Sequence, residues 1–147
     1  MKKIMAVSGF LLFALIAGFA QKSAVFTAGG AAIHGYDAVA YFTEGKAIKG
    51  DSLLSFNWNG ADWYFINQSN MDAFKSSPER FAPQYGGYCA YGMSGGHKAP
   101  TDPKAWMIVD RKLYLNYNKD VQQLWLKNQH KLIETADKNW PSVKDKE

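Results

Sequence analysis

The stretch "LLSFNWNGADWYFI", residues 53–66, constrains the fold more than any other part of this sequence. Aromatic residues favour strands on both sides of Asn59-Gly60, and an Asn-Gly pair between two such runs is typical of a tight turn. The stretch therefore predicts a β-hairpin. A second hairpin is predicted for "WMIVDRKLYLNYN", residues 106–118, with its turn at residues 110–112. A further strand is expected near residues 38–42, in a stretch rich in Tyr, Val and Phe.

Two segments have the features of helices. Residues 69–81 begin with Ser69 three positions before an acidic residue, which is the spacing of a capping box, and Pro78 is expected to end or restart that helix. Residues 119–140 repeat apolar side chains at helical spacing, with Asn118 as the expected cap and a proline just after the end. This order of elements predicts an α+β fold, in which a small single domain of antiparallel hairpins packs with two to three helices.

The beginning of the chain has the three parts of a secretory signal: a positive start, an apolar run and small residues at its end. We therefore predict a signal peptide at residues 1–20, cleaved after Ala20, and a periplasmic or secreted protein with no stable membrane span after cleavage. A linker is predicted at 21–32, the domain at 33–141 and a charged tail at 142–147. The alternative is an uncleaved membrane anchor, for which the apolar run is short.

The charge and the cysteine content limit the classes of partner. The formal net charge is +4, and cleavage would remove Lys2 and Lys3, which leaves +2. The remaining lysines are scattered, so the charge pattern predicts no nucleic-acid-binding surface. An exported protein usually pairs its cysteines, but this chain has one, so no internal disulfide can form. A lone cysteine permits a bridged dimer, and the oligomeric state is left open.

The segment "FAPQYGGYCAYGMSGGHK", residues 81–98, holds the candidate site. Cys89, Met93 and His97 follow one another at intervals of four residues, and thiolate, thioether and imidazole are the donors that suit Cu(I) or another soft metal. This spacing would place them on one helix face, although the glycines between them weaken a continuous helix. His34, in a loop, is a further candidate ligand. Two alternatives stay open: Cys89 as a reactive or bridging thiol, and Cys89 as a small buried apolar residue.

Two other patterns carry less weight. "GMSGG", residues 92–96, matches Gly-x-Ser-x-Gly, but the chain is too short for a hydrolase sheet and no strong apolar strand leads into it. His130 stands between polar residues and is expected to face solvent. We therefore expect no catalytic serine here.

The sequence resembles the exported branch of the YHS-domain proteins over residues 33–141. The matching pieces include "GYDAVAYFTEGKAIKG", "FNWNGADWYF", "PQYGGYCAYG" and "DPKAWMIVDRKLYLNYN", of which "PQYGGYCAYG" is the most specific. The resemblance implies a small α+β module that binds metal ions, often copper or another heavy metal.

The resemblance does not extend to the thiolates of the metal-binding YHS modules. Those modules resemble "DPVCGM" near their start, and here Ala40 of "DAVAYF" stands where the cysteine would be. They also resemble "YFCSxxCxxxF", and here Ile66 and Asn70 of "YFINQSNMDAF" replace both cysteines. Asp37 is retained. Cys89 is thus the one thiol on which a metal function can rest.

Together these features predict an exported protein that binds a soft metal ion, with copper as the candidate, for sequestration or delivery rather than catalysis. Cys89 is the main expected ligand, and Met93, His97 and His34 are its expected companions. One alternative is a thiol-redox or small-molecule-binding protein that uses Cys89. Another is a structural or partner-binding module with an aromatic surface of Tyr85, Tyr88 and Tyr91, for which packing of these tyrosines in the core is the simpler interpretation.

Overall fold

The computed structural model describes residues 23–146, in which three antiparallel strand pairs alternate with six helices. The strand pairs are β1 (Thr27–Ala28) with β2 (Ala31–Ala32), β3 (Asp51–Trp58) with β4 (Ala61–Phe65), and β5 (Asp102–Val109) with β6 (Lys112–Asn116). The helices are α1 (Ala40–Thr43), α2 (Gln68–Ser76), α3 (Pro78–Phe81), α4 (Ala90–Ser94), α5 (Lys119–Leu126) and α6 (Gln129–Val143). Single 3-10 turns span Ile33–Gly35 and Gln84–Gly87. The predicted α+β class is confirmed.

Both predicted hairpins form, and local turn chemistry explains each. Asn59 and Gly60 have φ of 52° and 77°, so both adopt the left-handed conformation of the turn that suits a two-residue hairpin loop. Asp110 and Arg111 do the same at 50° and 64°. The second turn is therefore one residue shorter than predicted, because Lys112 already belongs to β6.

The strand expected near residues 38–42 is wrong, since this segment contains the helical turn α1. The carboxylate of Asp37 accepts hydrogen bonds from the backbone N–H groups of Val39 and Ala40, at 2.8 and 3.2 Å. This is the way an aspartate caps a helix, and it draws the chain into a helical turn. Residues 38–41 are buried, so the apolar character that suggested a strand reflects burial of this turn.

The helix boundaries differ from the predictions in two places. The cap of α2 is Asn67, not Ser69, because the Asn67 side chain accepts the N–H of Asn70 at 2.8 Å. Pro78 was expected either to end or to restart the helix, and it restarts it as the first residue of α3. The predicted helix 119–140 is two helices, since Asn128 adopts a non-helical φ of −143° and ψ of 40°.

Capping of α5 by Asn118 is confirmed, with its side chain accepting the N–H of Val121 at 2.8 Å. The last helix continues through Pro141 to Val143, because proline in a final turn removes only one backbone bond. The predicted signal peptide at residues 1–20 and the last residue lie outside the described chain. Between residues 23 and 146, no helix is long and apolar enough to cross a membrane.

The described part of the predicted linker packs as part of the domain. Residues 27–32 form the β1–β2 hairpin, and Val25, Ala31 and Ala32 are buried. Val25 and Ala32 belong to the first of two apolar clusters, which is built mainly on the β3–β4 hairpin and α2. The second cluster lies among α4, β6, α5 and α6, and it borders the segment around Cys89.

Candidate functional site

Cys89 lies at the N-terminal end of α4 and is 1% exposed. Two backbone N–H groups point at its sulfur: that of Gly92 at 3.4 Å and that of Tyr117 at 3.2 Å. Gly92 comes from the first turn of α4, and Tyr117 directly follows β6, so the sulfur lies between a helix end and a strand end. Backbone N–H groups in this arrangement favour electron-rich sulfur.

Asn116, the last residue of β6, completes the surroundings of this sulfur. Its side-chain oxygen accepts the N–H of Tyr91 at 3.1 Å and lies 3.6 Å from Sγ of Cys89, within reach of the thiol hydrogen. Because Tyr91 needs an acceptor, the orientation of the amide is determined. In this orientation, Nδ2 of Asn116 is buried without a hydrogen-bond partner in the described chain. A buried donor in this state costs about 1–3 kcal/mol. Sequence reasoning missed Asn116, since nothing in its local pattern marks it.

The glycines after Cys89 turn the chain so that His97 folds back over α4. Gly96 has a φ of 79°, and the N–H of His97 donates to the carbonyl of Gly92 at 3.2 Å. Nε2 of His97 lies 3.3 Å from the position that a Cβ on Gly92 would occupy. Gly92 is thus next to both the sulfur of Cys89 and the exposed ring of His97. The glycines therefore bring these two residues to the same short helix, by a turn and not by a continuous helix face.

The two other predicted ligands have different surroundings. Met93 is 0% exposed and packs in the second apolar cluster. Nε2 of His34 lies 2.8 Å from the carbonyl oxygen of Thr101, and its ring meets the edge of Phe26 at a centroid distance of 5.7 Å. In residues 23–146, no three His, Cys, Asp or Glu side chains form a group that could hold a metal ion. Cys89 and His97 both lie against Gly92.

Three positions that lack the cysteines of metal-binding YHS modules meet at one buried carboxylate. Asp37 is 0% exposed. It accepts the N–H of Ala40 at 3.2 Å, the N–H of Ile66 at 2.8 Å and the side-chain amide of Asn70 at 2.8 Å. A hydrogen-bond network therefore occupies the place where the resemblance would put thiolates. The sequence comparison identified each of these positions, but it did not predict that all three bind the carboxylate of Asp37.

The predicted tyrosine surface is reduced to one residue. Tyr85 and Tyr88 are buried, and Tyr91 is 39% exposed. The hydroxyl of Tyr85 donates to the carboxylate of Asp137 at 2.7 Å. Burial, followed by this hydrogen bond, raises the pKa of Tyr85 well above its usual value, so the phenol stays protonated. These two tyrosines act as core residues.

Ser94 and His130 take no part in the site. The hydroxyl of Ser94 donates to the carbonyl of Tyr91 within its own helix, at 2.5 Å. His130 is exposed on α6. Comparison of the chain with protein-family models, with curated proteins and with solved structures finds no match. The resemblance to YHS domains therefore stays a prediction from sequence motifs, and the function is inferred from the geometry around Cys89.

Proposed function

We propose that this protein is exported and binds a soft metal ion, with Cu(I) as the candidate, through the thiolate of Cys89 and the imidazole of His97. The observation that supports this most is the pair of backbone N–H groups, of Gly92 and Tyr117, that converge on Sγ of Cys89. Thiolate is the form of cysteine that binds metals, and hydrogen bonds to a ligating sulfur hold it in place and tune it.

The donor set fits a soft ion in part. Thiolate and imidazole both suit copper, and the turn at Gly96 brings His97 back to Gly92 beside the cysteine. Met93 would have to leave the second apolar cluster to contribute its thioether, and His34 would have to give up its contact with Thr101. The proposal therefore rests on Cys89 and His97. Two donors suit delivery, because a metal held by few ligands is passed on easily.

Burial determines how the ion would reach the sulfur. Cys89 is 1% exposed, while Tyr91 and Tyr117, whose backbones border the site, are 39% and 52% exposed. Displacement of these two residues would open the site, and their return would exclude water from the bound ion.

Cu(I) titration of the reduced protein under anaerobic conditions, in competition with a chromophoric Cu(I) chelator, tests this function. We expect stoichiometric binding by the wild type, more than about 100-fold weaker binding by Cys89→Ser and about 10-fold weaker binding by His97→Gln. His130→Gln is the matched control, because His130 is exposed on α6, and its affinity should equal that of the wild type. Affinity should fall with decreasing pH, since protons compete with the metal for the thiolate. Tight binding by Cys89→Ser would contradict the proposal.

A second candidate, a reactive thiol, is favoured by the backbone N–H groups that point at the sulfur of Cys89. The side-chain oxygen of Asn116 lies 3.6 Å from Sγ, where it can accept the thiol hydrogen, and the backbone N–H groups of Gly92 and Tyr117 are hydrogen-bond donors on the same sulfur. Such donors stabilise a thiolate for attack on an electrophile as well as for metal binding.

Alkylation by iodoacetamide distinguishes this candidate. We expect native Cys89 to react without unfolding of the protein, and Asn116→Asp to slow the reaction several-fold, because a carboxylate beside the sulfur repels the thiolate. Asn128→Asp, in an exposed position, is the control and should leave the rate unchanged. The rate is measured by mass spectrometry of quenched samples. A thiol that reacts only after the protein is unfolded contradicts both candidates.

A further inference from the structure

An open cleft of about 210 Å³ lies between the tip of the β3–β4 hairpin and the C-terminal part of α6. Trp58 and Trp63 line it from the hairpin, Trp140 from α6, and Tyr85 from the 3-10 turn between them. None of its lining residues surrounds the sulfur of Cys89. It is therefore a separate candidate for binding.

The walls of the cleft are aromatic and partly accessible. Trp58 and Trp140 are half-buried, and Trp63 is 1% exposed. Trp63 stacks at a tilt on Trp58 with 5.7 Å between ring centroids, and its indole N–H donates to the carbonyl of Trp58 at 3.0 Å. This bond and the ring contact hold the two indoles in place before any ligand binds. Rigid indole faces favour a planar or apolar ligand body of small size.

Two opposite charges border these walls. Glu79, in the first turn of α3, and Lys144, just after α6, both line the cleft and are exposed. They do not form an ion pair with each other, and neither side chain has a polar partner among the residues described. The cleft thus presents one carboxylate and one ammonium, both available, beside an apolar surface.

We propose that this cleft binds a small zwitterion with an apolar or aromatic body, the chemistry of a free α-amino acid. The ligand's ammonium group would pair with Glu79, its carboxylate with Lys144, and its side chain would lie on the indoles. An organic cation alone could use the aromatic faces and Glu79, but it would be repelled by Lys144. A simple anion would be repelled by Glu79 in the same way. The zwitterion is the ligand that satisfies both charges.

The cleft lies between the two apolar clusters of the fold. Trp63 belongs to the first apolar cluster and Trp58 packs against it, while Tyr85 belongs to the second cluster and Trp140 packs against that one. A bound ligand would therefore connect the two clusters. Because it binds only the folded protein, it should raise the melting temperature in proportion to the logarithm of its concentration.

Isothermal titration of the protein with L-phenylalanine tests this inference, with phenethylamine and 3-phenylpropionate as probes that each lack one charge. We expect L-phenylalanine to bind and each single-charge analogue to bind about fivefold more weakly, as for partly exposed ion pairs. Glu79→Gln and Lys144→Gln should each weaken binding of L-phenylalanine by a similar factor. Tryptophan fluorescence should change on binding, since three of the five tryptophans line the cleft.

Matched controls are Glu44→Gln and Lys112→Gln, exposed charges outside the cleft, which should bind as the wild type does. Cys89→Ser should also bind L-phenylalanine normally, so failure of the metal proposal and failure of this one are distinguishable. Phenethylamine binding as tightly as L-phenylalanine would overturn the assignment in favour of an organic-cation site. The inference is also overturned if millimolar L-phenylalanine produces neither heat of binding nor a shift in the melting temperature. It is overturned as well if the variants Glu79→Gln and Lys144→Gln bind L-phenylalanine as tightly as the wild type does.

Discussion

Replacement of Asp37 by asparagine is expected to lower the free energy of unfolding by about 3 kcal/mol, although the two side chains have almost the same shape. One carboxylate oxygen accepts the N–H groups of Val39 and Ala40, and the other accepts the N–H of Ile66 and the amide of Asn70. All four groups are donors. An asparagine keeps one oxygen and turns an NH₂ group toward one of the two pairs, which leaves buried donors facing a donor.

Urea denaturation followed by tryptophan fluorescence measures this effect, because five tryptophans report on the fold. Asp72→Asn is the matched control. Asp72 is exposed and accepts a hydrogen bond from Gln68, so the loss of its charge should change stability by no more than about 0.5 kcal/mol. Equal stability of Asp37→Asn and the wild type would show that the network does not hold α1, the end of β4 and α2 together.

Replacement of Lys98 by methionine is expected to cost about 2 kcal/mol and to loosen both ends of the described chain. Lys98 is 8% exposed, and its ammonium group donates to the carbonyls of Lys144 at 2.8 Å, Lys146 at 2.7 Å and Ser23 at 3.4 Å. It also lies 5.2 Å from the ring centroid of Tyr88. Methionine preserves the apolar stem but removes the charge that binds the carbonyls after α6.

Hydrogen exchange separates this local effect from a general loss of stability. In Lys98→Met, amides near residues 143–146 should exchange faster than in the wild type, while amides of β3 and β4 should change only by the global destabilisation. Lys138→Met serves as the control, because Lys138 is exposed on α6 and pairs with the side chain of Glu134. Unchanged protection after residue 140 would mean that Lys98 does not anchor the C-terminal end.

Local sequence signals predicted the elements that depend on a few neighbouring residues. Asn59-Gly60 predicted the first turn, and Asn118 predicted the start of α5, because a turn or a cap is formed by groups within three residues of each other. The same reasoning chose Ser69 over Asn67, since both residue types can cap a helix and the backbone decides which one does. It also read residues 38–42 as a strand, because burial on all sides gives no helical periodicity in four residues.

The candidate site was predicted only in its composition. Cys89 and His97 were identified by their donor atoms, but the reason they approach the same glycine is the turn at Gly96. The groups that surround the sulfur could not be predicted, because Tyr117 is 28 residues and Asn116 27 residues away in sequence. Met93 and His34 share the right chemistry with Cys89, yet packing gives them other neighbours.

By itself, the sequence determined the α+β class, the two hairpins and the single thiol on which any soft-metal function depends. These properties follow from residue type and from contacts a few residues apart. Only the tertiary structure decided that Ala40, Ile66 and Asn70 meet at Asp37, that two backbone N–H groups converge on Cys89, and that three tryptophans line a cleft with Glu79 and Lys144. The physical reason is that these groups come together through packing of distant segments, which balances many weak contacts and leaves no local pattern in the chain.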